Sequence, residues 1–210
     1  SAPGDEPTGT GPELRVALHG IHRGPDLLGD IDFHLDRAAG TITAGDIHGA
    51  LAGFRLSAEQ PGALQWDTQE NVTRLDATFA FADMGQSLER LGYLQTLETE
   101  DGQLALALEW PGGPQSFSLA SAAGSLAATV GEGRFLNAPA GASGALRVVS
   151  ILNLADIIGR VSLSHMFESG VSFHGITAQL FLQDGKIEVA SMDVEGNSSG
   201  FQFSGVADVA

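Results

Sequence analysis

The hydrophobic residues of this chain repeat with a period of two, and this alternation constrains the fold more than any other feature. The clearest runs are Ile31/Phe33/Leu35, Ala77/Phe79/Phe81, Leu104/Leu106/Leu108/Trp110 and Leu126/Ala128/Val130. Successive side chains of an extended strand point to opposite faces, so each run presents one apolar face. Glycine accounts for 28 of the 210 residues, about twice its usual share, and falls between the runs. The pattern predicts a mainly β, antiparallel fold of many strands.

An Asp-Gly dipeptide at 184–185 separates two further alternating segments. A two-residue Asp-Gly loop favours a type I′ turn, which joins neighbouring antiparallel strands. The resulting register pairs Leu182 with Ile187 and Leu180 with Val189, so these four side chains share one face. A third strand is predicted to follow this hairpin, with apolar side chains at Phe201, Phe203, Ala207 and Val209.

Two segments depart from the strand pattern and are predicted to be short helices. The first, near 83–92, begins with Asp83 as a capping residue and ends at Gly92. The second, at 143–160, carries a narrow polar stripe formed by Arg147, Ser150, Asn153, Asp156 and Arg160. The rest of its surface is apolar or small, which is more than a helix with one solvent-facing side shows. Two interpretations stay open: the helix packs against the sheet, or part of it touches lipid or a membrane surface.

The charge of the chain excludes several classes of partner. Ten basic and 26 acidic side chains give a formal net charge of -16, which repels phosphate backbones, so no nucleic-acid partner is expected. No run approaches the roughly 20 apolar residues of a membrane-spanning helix. Residues 1–12, rich in proline and glycine, are predicted to be a disordered linker. Because the chain starts in a linker and ends in strand-like sequence, we expect 13–210 to be a segment of a longer protein.

The residues that could carry chemistry do not form a recognisable site. The chain has no cysteine, which excludes disulfides, thiolate catalysis and Cys-ligated zinc. His19 and His22 are three residues apart, so on a strand they would point to opposite faces, and no helical His-Glu-x-x-His motif accompanies them. The chain has no Gly-x-Ser-x-Gly nucleophile elbow, because the one such string, at 196–200, lies in a turn that leads to a predicted strand, and it has no phosphate-binding loop. We therefore expect no enzyme activity, no catalytic residue, no metal site and no cofactor.

The order of several segments resembles the C-terminal region of YhdP-type proteins of the AsmA-like family. LERLGY at 88–93 is followed by the stretch 104–137, which ends in a GRFL strand, and then by a small apolar helix. A Phe-x-x-Gly-x-x-Phe segment at 167–173 leads into the Asp-Gly hairpin and a glycine-rich closing strand. The looser similarity extends back to about Glu13, so it covers nearly the whole chain after the linker.

This resemblance implies a bridge-like lipid transfer protein of a Gram-negative bacterium. The implied fold is an antiparallel sheet curled into an open, U-shaped apolar groove. The implied function is phospholipid transport between inner and outer membranes, which supports outer-membrane integrity. The implied location is the periplasm, where the remainder of the same long chain anchors this segment in the inner membrane. The expected partners are phospholipid acyl chains and a protein of the outer membrane. The alternative is an envelope interaction module with a closed β core, because alternation alone does not separate an open apolar face from a closed core.

Alternation assigns the side chains that would line the groove. These lipid-binding candidates are Phe33, Phe79, Phe81, Leu106, Leu108, Leu180, Leu182, Ile187 and Val189. The helix at 143–160 is expected to cover the groove near the terminal hairpin, with Leu146, Val149, Leu152 and Ile157 among its buried residues.

Overall fold

The computed structural model describes residues 13–92, 95, 97–136, 172–196 and 200–208. The linker predicted at 1–12 and the helix predicted at 143–160 lie outside the described residues. The same holds for the four side chains expected to cover the groove, Leu146, Val149, Leu152 and Ile157, and for Val209.

The described residues form strands for most of their length. The strands are β1 (Leu14–Arg23), β2 (Asp26–Ala38), β3 (Thr41–Leu51), β4 (Phe54–Leu56), β5 (Gly62–Asp67), β6 (Val72–Phe81), β7 (Leu97–Thr99), β8 (Gly102–Pro111), β9 (Ala123–Val130), β10 (Gly133–Phe135), β11 (Ser172–Gln183), β12 (Lys186–Gly196) and β13 (Gly200–Asp208). One α-helix, α1 (Met84–Arg90), follows β6, and a 3-10 turn at Pro114–Ser116 follows β8.

All of these strands belong to one 13-stranded antiparallel sheet. Three pairs of strands lie in line, namely β4 with β5, β7 with β8 and β9 with β10, so the sheet consists of ten strand rows. Each row pairs with the row that follows it along the chain, from β1 to β13, as in a meander. The prediction of a mainly β, antiparallel fold is confirmed.

The Asp-Gly hairpin has the predicted register. Asp184 and Gly185 both have positive φ, 52° and 69°, as a type I′ turn requires. Leu182 pairs with Ile187, and the next apolar pair also matches the prediction. Turn chemistry that acts between adjacent residues therefore determines the register of the four pairs next to the turn, up to the shift between Gln179 and Leu180.

Helix α1 corresponds to the helix predicted near 83–92. Asp83 caps its first turn by accepting a hydrogen bond of 3.1 Å from the backbone N–H of Gln86. Its buried residues are Gly85 and Ser87, both small. A Cβ at Gly85 would collide with the carbonyl oxygen of Leu97, so the helix contacts the sheet through its backbone.

The strand directions give the sheet two distinct ends. The end that we call the helix end holds α1 and the β1–β2 and β3–β4 turns; Ser87 of α1 lies against Gly53 of the second of these turns. The opposite end, which we call the loop end, holds the β8–β9 loop and the β11–β12 turn.

Buried apolar side chains form two clusters. The cluster towards the helix end consists of Phe81, Val130, Phe173, Ile176 and Val194. The cluster that reaches the loop end consists of Leu108, Trp110, Ala122, Ala178, Leu180, Leu182, Ile187 and Val189. Both clusters draw their strand residues from the same face of the sheet, because side chains paired across neighbouring strands point to the same side.

Candidate functional site: the apolar face of the sheet

A single crosswise row of side chains runs over all ten strand rows without a polar residue. We call it the apolar row, and its members in order are Leu14, Leu35, Ala44, Leu64, Leu75, Leu108, Gly124, Leu182, Ile187 and Ala207. Each member is the direct register partner of the next. Directly paired residues share a face, so this row defines one side of the sheet, which we call the apolar face.

Glycine occupies one position of the apolar row for a steric reason. Gly124 has φ 136°, a conformation that side-chain-bearing residues rarely adopt. A Cβ there would collide with the carbonyl oxygen of Ala107 on the neighbouring strand. Glycine kinks of this kind let a sheet bend locally.

A second apolar line runs beside the first across the C-terminal half of the sheet. Leu106 pairs with Leu126, Leu126 with Leu180, and Leu180 with Val189. Neighbouring lines of this kind convert a row of side chains into a surface, since every second residue of each strand falls on the same side.

All nine side chains predicted from alternation lie on the apolar face. Eight of them follow from the pairings of β6, β8, β11 and β12. Phe33 lies two residues from Leu35 of the apolar row and pairs with Val16. Their placement on one face is a property of the sheet, whereas contact with lipid stays a prediction.

Exposure changes along the apolar face. Leu182 is 5% exposed in the C-terminal half, whereas Leu14 at the β1 edge is 55% exposed. Phe33, Phe79 and Leu106 have intermediate exposure. The face is therefore accessible at the N-terminal edge and along part of its length.

Aromatic side chains that alternation did not predict extend the apolar face at the helix end. Phe54 packs edge-on against Phe79 and Phe81, with ring centroids 6.2 and 5.9 Å apart. The ring centroids of Phe135 and Phe173 lie 5.0 Å apart. The Phe-x-x-Gly-x-x-Phe segment hinted at Phe173, whereas Phe54 lies in a three-residue strand too short to show alternation.

The opposite face carries charge. Arg74 and Glu109 are register partners there, with Nε and a carboxylate oxygen 3.4 Å apart and both side chains about half exposed. Exposed pairs of this kind contribute little to stability. At the loop end, backbone N–H groups of Glu70 and Gln69 donate to Asp67 and, with a smaller effect of Arg74, lower the pKa of its carboxyl from 3.8.

Three of the five histidines in the described segments lie beside carboxylates. The pairs are His19 with Asp30 at 3.6 Å, His34 with Asp46 at 3.3 Å, and His174 with Glu132 at 3.4 Å. Within the part of the chain that the structure describes, no three His, Asp or Glu side chains are placed to hold a metal ion. In the same part, no helix has the length and apolarity needed to cross a membrane.

The fold and the apolar face together define a class: a one-sheet meander protein whose one side is apolar across every strand row. A family model described as "YhdP protein" matches residues 2–210 of the chain. The chain therefore belongs to the YhdP family. Comparison with curated proteins and comparison with solved structures give no match.

Proposed function

We propose that the chain conducts phospholipid along the apolar face of its sheet, between the inner and outer membranes. The observation that carries this proposal is the apolar row, which crosses ten strand rows with no polar side chain. Membership of the YhdP family is compatible with this function. The sheet would then curl into an open, U-shaped groove with the apolar face inside.

The energetic demand of lipid transport explains why an uninterrupted row matters. A two-chain phospholipid carries about 30 methylenes, and exposing them to water costs on the order of 20 kcal/mol at ~0.8 kcal/mol each. A polar position within the apolar row would leave part of each acyl chain exposed to water, so every lipid that passed it would meet part of this free-energy cost. A row without a gap lets acyl chains move while they stay covered on one side.

The dimensions of the face are sufficient for acyl chains. Nine intervals of about 4.8 Å between ten strand rows give a width of about 43 Å. One acyl chain spans about 15 Å, half of the roughly 30 Å hydrocarbon core of a bilayer. The face could therefore hold lipids in succession.

We further propose that this segment works in the periplasm of a Gram-negative bacterium. The rest of the same chain would anchor it in the inner membrane, and a partner in the outer membrane would receive the lipid. The support for this setting is family membership. The function needs no catalytic residue and no cofactor, and we propose that the protein is not an enzyme.

A second candidate function is an envelope interaction module with a closed core. The buried C-terminal half of the face, where Leu182 and Ile187 are each 5% exposed, favours it. Exposure at the β1 edge favours the open face instead. The two candidates differ in whether half-exposed positions of the face contact lipid in the cell.

Photo-crosslinking separates the two functions. A photoreactive residue at Phe79, on the apolar face, should label phospholipid in cells. The same residue at Gln103, on the adjacent strand but the opposite face, should not. Native mass spectrometry of detergent-free protein should also find bound phospholipid. Equal labelling at the two positions, or protein free of lipid, would contradict transport along the face.

A further inference from the structure

The β8–β9 loop combines exposed apolar side chains with a complete lack of charge. Residues 110–131 contain no Asp, Glu, Lys or Arg and form the longest such stretch in a chain of net charge -16. Within it, Phe117 is 47% exposed and Leu119 is 38% exposed. We call residues 117–119 the apolar tip.

The loop holds this tip in a fixed conformation. The buried Trp110 donates from its indole N–H to the carbonyl oxygen of Gly113, at 3.1 Å. The hydroxyl of Thr73 donates to the carbonyl oxygen of Gly112, at 2.7 Å. The Phe117 ring packs edge-on against Trp110, with centroids 5.1 Å apart. Because the tip is already ordered, binding through it costs little further conformational entropy.

The tip is continuous with the apolar face. Trp110 belongs to the buried cluster that contains Leu182 and Ile187 of the apolar row. The exposed ring of Phe117 therefore lies one contact away from the side chains over which lipid is proposed to move. No other exposed apolar side chain among the described residues pairs with Trp110 in a ring contact.

These features fit the surface of a bilayer better than a protein partner. A protein interface generally has a polar and charged rim that fixes orientation, whereas the sequence neighbours of the tip, Gln115, Ser116 and Ser118, carry no charge. The charged residues beside the loop are Asp184 and Lys186, which flank Gly185 next to the carbonyl oxygen of Ala120; their opposite charges cancel. Insertion into a bilayer interface needs apolar area without charged groups to desolvate. The net negative charge of the chain disfavours anionic lipid, which leaves zwitterionic lipid as the compatible surface.

We propose that the apolar tip inserts into the interface of a zwitterionic phospholipid bilayer and places the loop end of the apolar face against it. This inference rests on the proposed function, since it assigns a membrane-facing margin to the face over which lipid is proposed to move.

Vesicle binding tests the proposal. The full chain should sediment with phosphatidylethanolamine–phosphatidylcholine vesicles, and binding should weaken when phosphatidylglycerol is added. Phe117→Ser should reduce binding roughly tenfold and Leu119→Ser roughly fivefold, in proportion to the apolar surface each exposes. Leu27→Ser is the matched control, because Leu27 is 60% exposed but lies at the helix end.

The outcomes separate this proposal from the proposed function. Loss of vesicle binding in the tip variants, with lipid still retained in native mass spectra and an unchanged urea midpoint, supports the tip. Absence of vesicle binding by the unmodified chain, or an equal loss of binding in Leu27→Ser, overturns the proposed insertion of the tip. If native mass spectra still show bound lipid in that case, transport along the face stands and the tip has a protein partner instead. Vesicle binding by a chain that retains no lipid would instead contradict the proposed function.

Discussion

A charge placed on the apolar face should stop lipid binding without unfolding the protein, provided that the position is half-buried. Leu106 meets this condition at the centre of β8, where it pairs with Ala77 and Leu126. Its neighbour Ala105 is exposed on the opposite face and pairs with Thr78. Leu106→Asp and Ala105→Asp therefore differ in the face that receives the charge and share a strand.

The cost of Leu106→Asp to folding can be worked from this position. Losing half of the burial of a leucine costs about 1 kcal/mol, and partial desolvation of a carboxylate adds about 1 to 2 kcal/mol. The sum of about 2 to 3 kcal/mol is below the 5 to 15 kcal/mol that typically separates folded and unfolded states. Ala105→Asp removes little apolar burial and should cost less than about 1 kcal/mol.

The cost to lipid binding should be larger. An acyl chain lying over Leu106→Asp would cover the carboxylate, and burying an unpaired charge costs several kcal/mol. Lipid affinity should therefore fall at least about 100-fold. Leu106→Asn removes the same packing but adds no charge, so its lipid affinity should lie between that of Leu106→Asp and that of the unmodified chain.

Two measurements on the same samples decide the outcome. Urea unfolding reports the free energy of unfolding, and native mass spectrometry after incubation with phospholipid vesicles reports lipid occupancy. Equal lipid occupancy in folded Leu106→Asp and Ala105→Asp would refute the reasoning. Complete unfolding of Leu106→Asp alone would favour the closed-core alternative.

Three further substitutions test the fold around the face. Gly124→Ala should lower the free energy of unfolding by about 1 to 3 kcal/mol in urea titrations, because alanine is strained at the positive φ of this position and its Cβ would collide with the carbonyl oxygen of Ala107. A change below about 0.5 kcal/mol would show that the sheet does not need glycine here. Asp83→Ala should cost about 1 kcal/mol by the same measurement, since α1 loses its cap, and Asp83→Asn should restore most of it. The pKa of the Asp67 carboxyl is lowered in the folded state from 3.8. The ionised carboxylate therefore stabilises the fold above pH 3.8, and this stabilisation is lost as the pH falls through the folded pKa. Asp67→Asn should flatten the acid side of the curve of unfolding free energy against pH, and an unchanged curve would exclude a stabilising role of the Asp67 carboxylate.

The sequence predicted the parts of the face that local rules control. The register of Leu180 with Val189 followed from an Asp-Gly turn four residues away, because a type I′ turn leaves little freedom in the pairing. Alternation then placed Phe79 and Leu106 on the correct side of their own strands. Alternation did not show that the apolar sides of these two strands form the same face of the sheet, since that depends on pairings between residues far apart in the chain.

Most of the missed features depend on non-local contacts. β12 contains a register shift between Val189 and Met192, and no turn residue signals it. Leu64 was overlooked because its membership of the apolar row follows from its pairing with Ala44 and Leu75, whereas Leu75 extends the alternating run of Ala77, Phe79 and Phe81 by two residues and could have been found from it. In α1, the capping pattern located the helix but not its buried residues, which are Gly85 and Ser87, small residues that allow close backbone approach to the sheet.

An open meander with one apolar face must also avoid association with other copies of itself. In the described sheet, β1 and β13 pair on one side only, and unpaired edges together with exposed apolar surface favour aggregation. The acidic balance of the chain opposes this, because a net charge of -16 makes copies repel one another in solution. The charged positions of β8 and β11–β12, such as Glu109 and Glu188, alternate with apolar-face residues and so lie on the other side of the sheet. Charge can therefore keep the protein apart from its copies while the apolar row stays free of polar groups, which is the separation that a lipid-conducting sheet requires.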